Sequence, residues 1–258
     1  MTEGNKISFT HTKGARNVFS TMQFHPYAEL YFFISGKAEL VSTRLREEML
    51  PYRLVIIPAG EYHYFNVRTD IEEYERCVIN VPENSDLYSV LSELASAIRI
   101  IMLDENDRIT EHFRYLASAS RHFSAEDFSL VLSAALTDIL YLIKYGESGR
   151  TVSFGAHTSL PDSVMEYLNK HISENITLDA LSDIFGYSVS HISHTFVCEF
   201  KISIKQYVLN KRLYLARAQI QGGRSINEVF RELGFNSYPS FFRLYKKKFG
   251  VSPSKIGT

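Results

Sequence analysis

The sequence predicts an α+β chain of two folded parts. A small β-barrel or jelly roll, extended by a helical segment, precedes an all-α domain with two helix-turn-helix units. Three observations carry this. Residues 17–81 are short β-branched and aromatic runs broken by Gly and Pro. Residues 86–145 switch to apolar spacings of three and four, a helix period. The last hundred residues hold one helical pattern twice, offset by 48 residues up to a glycine and by 49 after it.

At 258 residues the chain is comfortable for two domains, each able to bury a core. Its 45% hydrophobic and 22% charged residues are those of an ordinary soluble protein. No run approaches the roughly 20 uninterrupted apolar residues that cross a bilayer. The polar start, Met1 to Thr12, has no apolar signal core. Cytoplasmic residence without a membrane partner is therefore expected. Cys77 and Cys198 stand far apart in no metal or redox spacing, so both are expected as reduced, buried thiols. The net charge of −1 conceals a polarity. Residues 1–159 carry 15 Lys+Arg against 21 Asp+Glu, and residues 160–258 carry 13 against 8. Within the latter, residues 201–258 hold 12 basic and 2 acidic side chains, which points to a polyanionic partner.

In residues 1–85, Glu29-Leu-Tyr-Phe-Phe-Ile34 and Arg53-Leu-Val-Ile-Ile57 read as strands punctuated by Gly36, Pro51, Pro58 and Gly60. His25 stands four before Glu29, and Pro58-x-Gly60-x-x-His63 follows, with Asn66 three further on. These spaced motifs resemble those of the cupin barrel. By that resemblance His25, Glu29 and His63 point into the barrel mouth. The family's leading His falls on Gln23, and its Gly-Asp on Tyr52-Arg53. Three uses of the cluster stay open. Two imidazoles and a carboxylate suffice to hold a divalent metal, with Gln23 as a weak fourth ligand, which would make the domain a dioxygenase or isomerase. The preferred reading is an effector pocket with no metal and no cofactor. There His25, Glu29 and His63 bond hydroxyls, while Tyr31, Phe33, Tyr62 and Tyr64 pack on apolar faces. Strand alternation separates Tyr31 and Phe33 from Leu30 and Phe32, so only one set can face inward. The third use is an inert barrel with satisfied core histidines.

Residues 86–146 read as a helical dimerisation segment. Asp86 to Leu103 and Ile109 to Phe123 have helical spacing. Ser124 before Glu126-Asp127 caps a third helix, whose apolar arc from Phe128 to Tyr145 is wide enough to need covering on two sides. A second copy of the chain is the expected cover, and packing against the other two helices of the segment is the alternative. Gly146 ends that helix, and residues 147–160 read as a linker.

In residues 161–258, capping signals precede seven starts: Ser159, Thr177, Ser188, Ser203, Ser225, Ser237 and Ser252. They imply six helices and a short final turn. The repeated pattern is Leu178-x-x-Leu181, Gly186-Tyr187-Ser188, Ile192 and Phe196, then Ile226-x-x-Val229, Gly234-Phe235-Asn236-Ser237, Phe241 and Tyr245. Each copy is a short helix, a glycine turn and a second helix. The first copy, Tyr207…Arg212-Leu213…Ala216, and Gly234-Phe235-x-Ser237…Phe241-Phe242-Arg243…Phe249-Gly250-x-Ser252-Pro253 resemble the DNA-binding domain of the AraC/XylS regulators. That family often carries an N-terminal cupin-like barrel with a helical dimerisation segment. The resemblance and the exposed helix faces together assign DNA contacts to Ser188, Ser190, His191, Ser193 and His194 in the first unit. In the second they assign Ser237, Tyr238, Ser240, Phe242, Arg243, Lys246 and Lys247. Arg243 suits guanine or a phosphate, and Lys248 joins its two neighbours as a phosphate contact. Lys205, Lys211 and Arg212 are weaker candidates, and Arg212 fits a bridge between the two halves equally well.

The family's usual Arg falls on His194 and its turn glycine on Lys201. Residues 160–200 carry one basic against six acidic side chains. The expectation is a non-enzymatic regulator, an activator by resemblance, with promoter DNA, a small effector such as a sugar, a homodimer partner and RNA polymerase as partners. The alternatives are a metal-dependent cupin enzyme and a DNA-binding protein with a purely structural barrel.

Overall fold

The computed structural model describes residues 6–14, 23–42, 45–67, 73–95, 97–146 and 159–255. The chain forms two compact units, Met1–Ala156 and His157–Thr258. Most of the segment read as a linker, residues 147–158, lies outside the described residues.

The first unit is built on two antiparallel sheets. One has the order β1 (Ser8–Lys13), β7 (Glu75–Pro82), β2 (Tyr27–Ser35), β5 (Arg53–Ile57), β8 (Arg99–Met102); the other runs β4 (Arg46–Met49), β3 (Ala38–Ser42), β6 (His63–Val67). Of the two expected architectures, barrel or jelly roll, the barrel is not closed: the described strands form two sheets, each ending in its own edges among the described residues. Packing face to face buries the inward residues of both sheets, so closure is not needed to make a core. One isolated bridge, Gln23 to His63, ties the segment before β2 to the second sheet.

Period-two alternation sorts β2 onto two cores. Leu30 and Phe32, with Leu54, Ile56, Cys77 and Ile79, face the helices, where Phe32 stacks on Phe113 at 4.6 Å. Tyr31 and Phe33, with Val55, Ile57 and Val78, face the second sheet and meet Leu40 and Phe65. Glu29 shares their parity and so points between the sheets.

The stretch Asp86–Leu103 is not one helix. It divides into α1 (Asp86–Leu94) and the strand β8, which pairs with β5. Ile98, Ile100 and Ile101 fit either period, and pairing to an open sheet edge decides for the strand. Two helices follow, α2 (Arg108–Ala119) and α3 (Ala125–Tyr145), capped by Asp107 and Ser124. On length and composition α3 could cross a membrane, with a mean hydropathy of 1.5 over 18 residues. Its stripe of Leu132, Leu136, Ile139 and Ile143 is instead buried in the helix-side core, and Asp138 meets Arg108 and His112 at 2.9 and 2.7 Å. Leu130, Tyr141 and Tyr145 remain exposed.

The second unit contains α4 (Leu160–Lys170), α5 (Leu178–Phe185), α6 (Val189–Phe200), α7 (Ile204–Gln221), α8 (Ile226–Glu232) and α9 (Tyr238–Phe249), then a 3-10 turn at Pro253–Lys255. The six expected N-cap residues stand at the six helix starts. Five of them accept a backbone N–H through the side-chain oxygen; Ser225 does not. On one side α7 touches α6, and on the other α8 and α9.

Candidate functional site

Helices α6 and α9 occupy the second-helix position of each helix-turn-helix. In α6, Ile192 and Phe196 are buried, which leaves Ser190, His191 and His194 exposed and Ser193 half-buried. In α9, Phe241 and Tyr245 are buried. Tyr238, Arg243, Lys246 and Lys247 are exposed there, while Ser240 and Phe242 are half-buried. Four-residue spacing of the apolar pairs anchors each helix and turns its polar positions outward. Ser188 and Ser237 accept hydrogen bonds from His191 N and Ser240 N, so each cap consumes one free N–H of its helix start.

The exposed side chains differ in freedom. His191 stacks on Tyr187 at 5.0 Å, and His194 Nε2 lies 3.4 Å from Cys198 Sγ. Cys198 is exposed, contrary to expectation, whereas Cys77 is buried and its thiol is pushed up to about 12 by burial. Arg243, Lys246 and Lys247 make no ion pair among the described residues. Lys248 lies differently from Lys246 and Lys247. It is half-buried with Nζ 5.6 Å from the Tyr214 ring, and burial lowers its pKa. Lys205 lines a groove with Ile176, Leu178, Asp179 and Phe235.

Arg212 is a bridge. From α7 its Nε donates to Ile172 O at 2.7 Å and its Nη2 to Glu174 O at 2.5 Å, both between α4 and α5. Its Nη1 donates to Gly234 O at 3.0 Å, in the turn of the second unit. One guanidinium therefore holds carbonyls on both sides of α7, which its planar fork of donors suits. Desolvation lowers its pKa. Gly234 has φ of +71°, and a Cβ there would lie 3.1 Å from Arg212 Cζ.

In the first unit, five of the six residues assigned to an effector pocket belong to two clusters. His25, Glu29 and His63 come together between the sheets, all buried. His25 Nε2 is 3.2 Å and His63 Nε2 4.0 Å from Glu29 Oε2. Gly60, at φ +73°, donates its N–H to His25 O at 3.0 Å, so the Pro58-x-Gly60 turn holds the first histidine while leading to the second. Burial raises the Glu29 carboxyl, but the closeness of His25, His63 and Arg76 outweighs it and holds the group below its ordinary value. Burial lowers His63. Tyr31 and Phe33 are fully buried core instead: Tyr31 stacks on Phe65 at 3.6 Å and hydrogen-bonds Tyr74, which also packs against Phe33. The sixth residue, Tyr62, stacks on Phe24 at 4.0 Å.

Reasoning on the sequence missed Arg76 and Tyr74. Arg76 Cζ lies 5.2 Å from the Tyr31 ring centroid and 5.8 Å from that of Tyr74, where it places a cation behind Glu29. The parity of Arg76 with Val78 in β7 was the available signal.

Residues 181–257 match a family model described as a helix-turn-helix domain. The bifunctional transcriptional activator/DNA repair enzyme AdaA of Bacillus subtilis is 32% identical over 96 residues, which are 37% of this chain and 46% of AdaA. The chain thus spans less than half the length of that relative. The regulatory protein SoxS of Salmonella typhimurium is 24% identical over 100 residues, or 38% of this chain and 94% of SoxS. Among solved structures, ToxT from Vibrio cholerae aligns over 97% of this chain and 96% of its own at 10% identity, with a TM-score of 0.39.

Proposed function

We propose, from the premise that this chain belongs to the AraC/XylS family of helix-turn-helix proteins, that it is a sequence-specific DNA-binding regulator of transcription. One observation carries the reading. Two capped helices, α6 and α9, expose polar and basic side chains while a single arginine on α7 ties their units together. A helix of this kind enters a major groove and contacts base edges and phosphates. Ser188, Ser190, His191, Ser193 and His194 are assigned to one groove segment. Ser237, Tyr238, Ser240, Phe242, Arg243, Lys246 and Lys247 are assigned to the other.

In the finer reading the protein works in the cytoplasm as a homodimeric activator that contacts RNA polymerase. Residues 1–85 bind the effector, 86–146 dimerise, 147–160 link, and 161–258 bind DNA. The exposed Leu130, Tyr141 and Tyr145 on α3 support the dimer. The buried cluster of His25, Glu29 and His63 supports a hydroxyl-bearing effector such as a sugar, with Tyr62 as a further candidate. Tyr31 and Phe33 brace that site from the core. Regulation requires the effector to bind one arrangement of the protein better than another.

Footprinting on DNA upstream of the protein's own gene, with candidate metabolites added, tests this. The expected result is two protected groove segments whose occupancy changes with one metabolite. Uniform, sequence-independent protection would overturn it.

A further inference from the structure

We propose that His191 is the base-reading residue of the first helix-turn-helix and that Tyr187 is the residue that positions it. The inference rests on the DNA-binding reading above and says which side chain of α6 carries the choice of base. Held geometry carries the argument. The Tyr187 ring stacks on the His191 imidazole, with centroids 5.0 Å apart and planes 18° from parallel. Both residues are exposed, so the pair lies on the outer surface of the unit. Each is fixed through its backbone. The Tyr187 carbonyl accepts the Ser182 hydroxyl of α5 at 2.7 Å, one residue after Gly186 turns the chain at φ +72°. The His191 N–H donates to the Ser188 cap at 3.2 Å, and its carbonyl accepts from Thr195 Oγ1 at 2.9 Å.

A ring covered on one face keeps its edge for a partner. In every tautomer that edge carries at least one N–H donor. Guanine shows two acceptors and no donor in the major groove, so it is the base that a lone donor suits best. The neighbours on α6 compete poorly. His194 is engaged with Cys198 at 3.4 Å, Ser193 is half-buried, and Ser190 is a shorter side chain. The second unit lacks the device. At the matching positions of the repeat, Phe230, Phe235 and Ser240 replace Ser182, Tyr187 and His191. Phe235 packs on the buried Phe241 at 4.9 Å, and Ser240 has no ring to stack. A side chain ordered before binding spares the cost of ordering it at binding. The first unit, poor in cations, thus relies on a preset ring where the second relies on charge.

The test measures binding of the full chain to its footprinted site and to scrambled DNA. The variants are His191→Ala, Tyr187→Ala, Tyr187→Phe and the double alanine change. His191→Ala should lose about fivefold or more on the site and nothing on scrambled DNA. Tyr187→Ala should lose about three- to tenfold on the site alone. The double variant should bind no more weakly than His191→Ala, since the two residues act as one. Tyr187→Phe keeps the ring and should bind like the parent. Additive losses overturn the positioning role, and so does a Tyr187→Phe variant as weak as Tyr187→Ala. A His191→Ala variant that binds its site like the parent overturns the base reading. Circular dichroism checks each fold; should Tyr187→Ala lose it, Tyr187→Leu, apolar but without a flat ring, takes its place. A parent chain that binds site and scrambled DNA alike overturns the regulatory reading and this inference with it, so the two failures are told apart.

Discussion

The two helix-turn-helix units share a skeleton and differ in everything laid upon it. Both turn on a glycine with positive φ, Gly186 at +72° and Gly234 at +71°. Both reading helices start at a serine cap and bury an apolar pair four apart. Yet α6 exposes serines and histidines in a segment with one basic and six acidic residues, whereas α9 ends in Lys246-Lys247-Lys248. Gly186 has nothing within 4 Å of where a Cβ would stand; Gly234 has the Arg212 guanidinium and Ser173 O against it. The difference teaches that apolar spacing and caps set the fold of such a unit, while charge and the bridge set its use. On the proposed reading the second unit carries the charge that would hold DNA, and Arg212 ties it to the rest of the helical unit.

Removing the bridge should break the comparison hardest. Arg212→Ala loses three charge-assisted hydrogen bonds and leaves Ile172, Glu174 and Gly234 carbonyls to other partners. A loss of about 2–4 kcal/mol in the unfolding of the helical unit is expected at that half-buried site. Arg212→Lys should recover little, since an ammonium cannot reach three carbonyls in one plane. Gly234→Ala should cost about 2 kcal/mol or more through positive φ together with the clash, and Gly186→Ala less, through φ alone. Denaturant melts of the four variants check the order. Equal losses at the two glycines would show that the bridge contributes nothing.

Charge comes next. Arg243→Ala should cost about 1–3 kcal/mol of specific DNA affinity, a loss of roughly 5- to 150-fold, and should relax the choice of base at one position. Lys246→Ala and Lys247→Ala should each weaken all sequences alike and lower the salt slope by about one. Binding isotherms at several salt concentrations, on cognate and scrambled DNA, separate the two behaviours. If His194→Ala costs more than Arg243→Ala, the second unit is not the anchor.

The helical unit was legible because its signals are local. Caps sit next to the helices they start, and Ile192, Phe196, Phe241 and Tyr245 report a period without reference to anything distant. The sheet unit was less so. His25, Glu29 and His63 could be paired by motif, but the backbone carbonyls of Tyr27 and Glu61 that orient the rings are invisible in side-chain identity. Tyr31 and Phe33 read as pocket walls because alternation gives a parity but not what stands opposite. The facing residues are Phe65 and Tyr74, far along the chain. The helix read over Asp86–Leu103 failed for a related reason, since β8 exists only because β5 offers an edge.

The smallest expected effect concerns how the two reading helices end. The second closes on Gly250 at φ +75°, the first on Lys201 at φ +56°. A side chain in the left-handed region costs about 1 kcal/mol through the closeness of Cβ to the following carbonyl, and glycine escapes that cost. Lys201→Gly removes the strain but frees the unfolded chain and drops the bond from Nζ to Cys198 O at 2.6 Å. That bond is exposed and contributes little. The net expectation is a gain of about 0.5 kcal/mol, read as a rise of a few degrees in the melting of the helical unit. The variant also takes one positive charge from the DNA-facing unit that has few. A gain in stability with unchanged DNA affinity would mean that Lys201 is only a strained helix end. A gain in stability with a lower salt slope would mean that Lys201 accepts the strain in order to hold a phosphate, and the first unit would then rank closer to the second as an anchor.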